Sequence, residues 1–364
     1  MTNTPLEAIL SVLGGAGPQR AITVAHAENL PRGDCERKLR NAGLALVTPP
    51  LAVWRCEWPG VTFGCSEAGQ VRTDTISTAA GSICATTRTQ VARSIACDLP
   101  YDASVMRREL EVEPWIKVVA DIAPAIDWID AEVHLPDHEV YEHARYDYGA
   151  DALLVVRGPV SATGAAFKLC GSRVEIWREL WQEAASSMSA LLSALAQREH
   201  RKLAVLAGCH ADLVLLGGDD TPPVGADQTL RRYDLPLLQT AAQQCAREGL
   251  LFGLEVAALP SELVSELTHG AMPSVLVVSW PWASGLPDGL PLWVKLPREA
   301  LAQGSMQAQQ LAGELLRCTA GRRLVVDLDD AGLARCTSPA EREQLVTSAA
   351  AVLAAVGGFC AQDE

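Results

Sequence analysis

ADLVLLGGDD (211–220), followed by RRYDLPLLQTAAQQCAREG (231–249) and LLFGLEVAA (250–258), is the stretch that decides the fold. An apolar run ends in Gly217-Gly218-Asp219-Asp220. A segment with helical spacing follows, and a second apolar run, Leu250 to Leu254, ends in Glu255. This is the pattern of a βαβ unit. Each strand carries an acid at its carboxyl end, where parallel α/β proteins collect their binding groups. Four other runs share the layout: ALLVV (152–156) ends in Arg157, SVLVV (274–278) in Ser279-Trp280, PLWV (291–294) in Lys295, and RRLVV (322–326) in Asp327-Leu328-Asp329. Together they predict an α/β chain whose strands form one (β/α)8 barrel, with the polar tips on a single rim.

Composition bounds the function. At 364 residues, 49% apolar and 20% charged, the chain can bury a large core. Its formal net charge of −14 excludes nucleic acid and anionic membrane as expected partners, because there is no basic field to meet them. No apolar run has spanning length and the N-terminus has no leader pattern, so a cytoplasmic location is expected.

Upstream of the repeating part the texture differs. PLEAILSVLGG predicts a short N-terminal helix stopped by Gly14-Gly15, and Asp34 opens a second helix. From Leu44 to Gln90, Thr, Val and aromatic residues alternate at period two, and Pro and Gly break the runs; this predicts antiparallel hairpins. Residues 103–149 return to helical spacing. The expected organisation is therefore an N-terminal helical and β-hairpin elaboration over residues 1–100 packed on a barrel over 101–364, as one compact domain. Downstream, Trp177 and Trp181 at i, i+4 read as one core face, and Ser338 with Glu341 as a capping box for the last helix.

The eleven cysteines are scattered and include no CxxC pair. Cys56 and Cys65 could face each other across a hairpin, although buried thiols are the plainer expectation. His134, His138 and His143 cluster around Pro136, which argues against a continuous helix and for a solvated loop and helix start.

The order of elements resembles the uroporphyrinogen decarboxylase superfamily over about residues 44 to 355, and within it the cobamide-linked methyltransferase and O-demethylase-like branch. The resemblance is carried by the hairpin TDTISTAAGSICATTRTQ (73–90), the Leu235-Pro236 helix, and the strand sequence LLFGLEVAA, LVVSWP, LWVKLP and VVDLDD. It implies a TIM-type barrel acting in one-carbon metabolism, which moves a methyl group from a small methylated substrate to a corrinoid on a partner protein. Members that activate a thiol carry His-x-Cys on the strand that here reads Glu255-Val256-Ala257, and the last strand here ends in VVDLDD, so the resemblance does not extend to a thiol-activating zinc. A harder divalent ion on Asp219, Glu255 and Asp327 is the lesser alternative, and no metal is assigned. The Arg-rich clamp of the porphyrinogen decarboxylases is also missing from 21–43.

From the residues, Asp219 and Glu255 are the candidate catalytic acids. Arg157, Asp220, Trp280, Lys295 and Asp327 are the candidate substrate contacts, and Trp280 with Trp282 offers faces for a cationic or methylated amine. Lys295 paired with Glu255 or Asp327 is the structural alternative. Two other functions stay open: a degenerate barrel that binds a partner protein or ligand, and a decarboxylase or lyase on a small acid held by Arg157 and Lys295.

Overall fold

The computed structural model describes residues 4–14, 21–30, 33–95, 103–217, 223, 225–256, 261–270, 272–281, 286–319, 321–328, 336 and 338–361. In chain order, helix α1 (Pro5–Gly14) precedes strand β1 (Ala21–His26), and α2 (Asp34–Asn41) leads to β2 (Ala45–Val47). An insertion then runs through β3 (Trp54–Glu57), β4 (Thr62–Ala68), β5 (Val71–Thr78), β6 (Gly81–Ile95), β7 (Ala103–Glu113), α3 (Ile122–Ala131), β8 (Val133–Pro136) and α4 (Glu139–Tyr148). The chain re-enters through β9 (Ala152–Leu153) and β10 (Val155–Arg157), and continues with α5 (Ala162–Leu169), α6 (Val174–Leu206) and β11 (Leu213–Leu216). Next come α7 (Asp227–Thr229), α8 (Leu235–Arg247), β12 (Phe252–Glu255), α9 (Ser261–Gly270), β13 (Val275–Ser279) and β14 (Leu292–Lys295). The last elements are α10 (Arg298–Ala302), α11 (Ser305–Cys318), β15 (Leu324–Asp327) and α12 (Pro339–Ala361).

Among the described residues, nine parallel strands are hydrogen-bonded in the order β10-β11-β12-β13-β14-β15-β1-β2-β9. The two end strands are halves of one run, separated only by Leu154. The ladder therefore returns to its own start, and the sheet closes as the (β/α)8 barrel that the apolar runs predict. Closure removes the sheet edges, which would otherwise leave rows of backbone donors unpaired.

The alternation of side chains sorts the strands into two cores. Ile22, Val24, Ala45, Val47, Leu153, Val155, Leu213, Val275, Val277, Trp293 and Val325 form one buried cluster with Ile9, Val12 and Leu13 of α1. This is the barrel interior, plugged by α1 at the N-terminal end, where Leu6 N donates to Ala150 O at 3.2 Å. The residues between them, including Ala25, Leu46, Leu154, Val214, Leu254, Leu276, Val294 and Val326, pack outward against the helices. Two buried layers explain why these strands read as unbroken apolar runs.

Residues 1–100 contain two barrel strands. Ala21–His26 and the LALV run end up between β15 and β9, so only the segment after Val47 leaves the barrel. That segment returns through β3 and β8, which pair antiparallel as a two-stranded ribbon at its base. ASVMRRELEV (103–112), with helical spacing in the sequence, forms β7 instead. It pairs with the long β6 from Ala103 to Glu113, and that open edge outweighs a weak local preference for helix. The insertion has its own core, in which Ile76, Ile83, Ile116, Ile122 and Ile129 pack on Leu180, Met188, Leu191 and Leu195 of α6. Trp177 and Trp181 sit in or against this core with ring centroids 6.0 Å apart, as the i, i+4 spacing predicts. Glu341 N donates to Ser338 Oγ at 3.1 Å, completing the expected cap. No helix among the described residues is long and apolar enough to cross a membrane.

Candidate active site at the barrel mouth

Parity along the strands decides which tips face inward. Trp293 and Val325 belong to the interior, so Lys295 and Asp327, two residues on, point the same way. The same step carries Val24 to His26, Val155 to Arg157 and Gly253 to Glu255. All of these tips line one cavity of about 290 Å³ at the C-terminal end of the barrel, together with Glu28, Thr48, Val160, Lys168, Leu215 and Gly217. In barrels of this architecture that end holds the chemistry.

Two polar pairs organise the cavity. Lys295 Nζ lies 2.8 Å from Glu255 Oε1, with side-chain exposures of 15% and 5%, so the pair is largely withdrawn from water. On the other side, Trp293 Nε1 donates to Asp327 Oδ2 at 2.6 Å, and His26 Nε2 stands 3.9 Å from the same oxygen. Asp327 is fully buried. A buried carboxylate carries a large desolvation cost unless donors meet it, which the indole N–H does here. Thr48 Oγ1 accepts from Val155 N at 3.0 Å and fixes the loop after β2. Glu199 Oε2 accepts from Val160 N at 3.0 Å and fixes the loop after β10.

Gly217 shapes the floor beside Glu255. Its φ is +96°, and a Cβ there would lie 2.7 Å from Glu255 O, so only glycine fits without displacing the strand end.

Of the residues singled out from sequence, Arg157, Glu255, Lys295 and Asp327 meet in this cavity. Trp280 does not line it; it packs partly buried against the outer core, and its backbone N donates to Lys295 O at 2.9 Å. Asp219, Asp220 and Trp282 lie outside the described residues. Sequence reading passed over His26, Lys168 and Trp293. His26 carries the signature used elsewhere, an apolar run (AITVA) with a polar tip, but the run is short and precedes the obvious repeats. Trp293 was legible only by parity with Lys295. Among the described residues that line the cavity there is no cysteine to serve as a thiolate ligand.

No family model matches the chain, and no curated protein matches it. Among solved structures, tryptophan synthase from M. tuberculosis, in an open form with BRD0059 bound, is similar over 98% of this chain and 99% of that chain, at 10% identity and a TM-score of 0.29. So loose a superposition carries no argument about the site. The fold rests on the strand order alone.

Proposed function

We propose that the barrel mouth is a catalytic site for one small acid, of the decarboxylase or lyase class. The observation that carries this reading is that Arg157, Lys168 and Lys295 line the same cavity as the buried carboxylates Glu255 and Asp327. Arg157 and Lys168 supply charge for a substrate carboxylate. Lys295 is shared between that group and Glu255, and His26 beside Asp327 is the proton carrier. The second reading is methyl transfer from a small methylated substrate to a corrinoid on a partner protein. It draws on the family resemblance, and on the hairpin of β5 and β6 forming where that resemblance expects one; Glu255 would protonate the leaving heteroatom. That reading has lost Trp280 as a cavity wall.

A thermal-shift screen of the purified protein separates them. Small mono- and dicarboxylic acids are expected to raise the melting temperature of the wild type. Arg157 is exposed, so Arg157→Ala should remove that shift while leaving the unliganded melting temperature within a few degrees. A shift with methylated amines, ethers or cobalamins alone would favour methyl transfer, and no shift with any of them would favour a barrel that only binds a partner.

A further inference from the structure

Away from the mouth, the ribbon at the base of the insertion gathers three side chains of metal-ligating type. Cys56 on β3 stands directly opposite His134 on β8, and Glu132 immediately precedes β8. Cys56 Sγ donates to Glu132 Oε1 at 3.2 Å, and His134 Nε2 is 3.0 Å from the same oxygen. One donor atom from each residue falls within 4.8 Å of the other two. Among the described residues this is the one such group. The His134 side chain is 1% exposed; its Nε2 faces the Glu132 carboxylate, and its Nδ1 makes no hydrogen bond. An imidazole buried in this way carries an unmet polar cost. Trp54 packs edge-on against it, 6.1 Å between centroids, and fixes the ring beside the carboxylate.

We propose that Cys56, Glu132 and His134 bind one borderline-soft divalent ion of the zinc type, which staples the two ends of the insertion together. A tetrahedral zinc with sulfur at ~2.3 Å and nitrogen or oxygen at ~2.0 Å has ligand-to-ligand edges of roughly 3.3–3.5 Å, so the two observed edges differ from it by a few tenths of an ångström. Thiolate and imidazole select such an ion over calcium or magnesium, which take oxygen ligands. The fourth position falls to water. On binding, the Cys56 S–H bond breaks, its proton leaves to solvent, and the sulfur lone pair goes to the ion.

The surroundings suit a second layer of support. Arg198 Nη1 lies 3.9 Å from Glu132 Oε2, which leaves Oε1 turned to the site. Glu199, 2.8 Å from Arg198 and 2.7 Å from Lys202, offsets the positive charge that would otherwise repel a cation. Cys56 and Glu132 are 76 residues apart in sequence, so the ion would close the whole insertion at its base.

The test is titration of the metal-stripped full-length protein with cobalt(II) alone, followed by displacement with zinc. One equivalent is expected, with a thiolate-to-cobalt charge-transfer band that zinc abolishes. Cys56→Ser should lose the band, and His134→Gln should weaken binding at least tenfold. Less than one equivalent in the wild type, or a band that survives Cys56→Ser, overturns the proposal. Where a variant does not fold, X-ray absorption of the zinc-loaded wild type decides: one sulfur with one imidazole supports the site, and any other sulfur count overturns it.

Discussion

Gly217 is a single residue whose missing side chain positions a candidate catalytic group. Gly217→Ala forces a Cβ onto a positive-φ backbone and against Glu255 O. Gly225 has a similar φ of +84° but nothing within 4 Å of its would-be Cβ, so Gly225→Ala measures the backbone strain alone. That strain costs about 1–2 kcal/mol. Gly217→Ala is expected to cost more, by about 1–3 kcal/mol of overpacking, and to weaken ligand binding at the mouth while Gly225→Ala does not. Equal melting temperatures for the two variants would show that the Glu255 strand end moves aside easily. Glu199 allows a second test at this scale. Burial opposes its ionisation, but Lys202 and Arg198 and the Val160 N–H hold its carboxyl below the ordinary value of 4.5. A depressed carboxyl contributes stability above its unfolded pKa and loses it as pH falls through the folded one. Glu199→Gln should therefore destabilise by about 3–5 kcal/mol near pH 7, as breaking a buried pair does. Denaturant melts of both proteins should show that gap constant down to about pH 5 and closing below it; a gap that widens in acid would mean Glu199 is not ionised in the fold.

Elements were legible in the sequence where burial on both faces wrote a continuous apolar run, and illegible where an element depends on a distant partner. The six runs read as strands (152–156, 211–216, 250–254, 274–278, 291–294 and 322–326) cover β9 to β15 apart from the polar tips, because each needs apolar residues on the interior and on the helix side. Ala103–Glu113 was not legible, since Arg107, Arg108 and Glu109 carry no strand signal and only β6 supplies one. The cluster of Cys56, Glu132 and His134 was hidden for the same reason. The sequence suggested Cys65 as the neighbour of Cys56, but Cys65 pairs in register with Asp74 on another hairpin, and a ribbon spanning the insertion brings in His134. His134 is buried, not part of a solvated loop. The insertion packs through its own apolar cluster on α5 and α6, separate from the barrel interior. Ile122→Ala, at a fully buried contact of that cluster, is expected to cost about 2–5 kcal/mol. Hydrogen exchange should report the loss as faster opening of β5, β6 and α3, with the barrel strands β12 to β15 keeping their protection. Uniform acceleration through both regions would instead mean that insertion and barrel open as one unit.

For the molecule as a whole, four of the candidate site residues were legible because a closed barrel forces every strand tip of one parity toward one axis, so polar residues distant in sequence have nowhere else to meet. That argument does not reach Asp219, Asp220 and Trp282, which lie outside the described residues. Charge also acts at this scale. A net charge of −14 spread over one chain repels itself, and the repulsion reaches ~30 Å at 0.01 M salt but only ~8 Å at 0.15 M. Opposing this are exposed pairs such as Arg37 with Asp34 and Arg72 with Asp74, which lose strength as salt rises. Each of those is worth at most about 1 kcal/mol, whereas the excess negative charge is unpaired by definition. Repulsion should therefore dominate, and the melting temperature should rise by several degrees between those two salt concentrations in sodium chloride. The buried pair of Lys295 and Glu255 is screened little, so the increment should be the same in Glu255→Gln as in the wild type. A melting temperature that falls with salt would mean that the surface pairs outweigh the net charge.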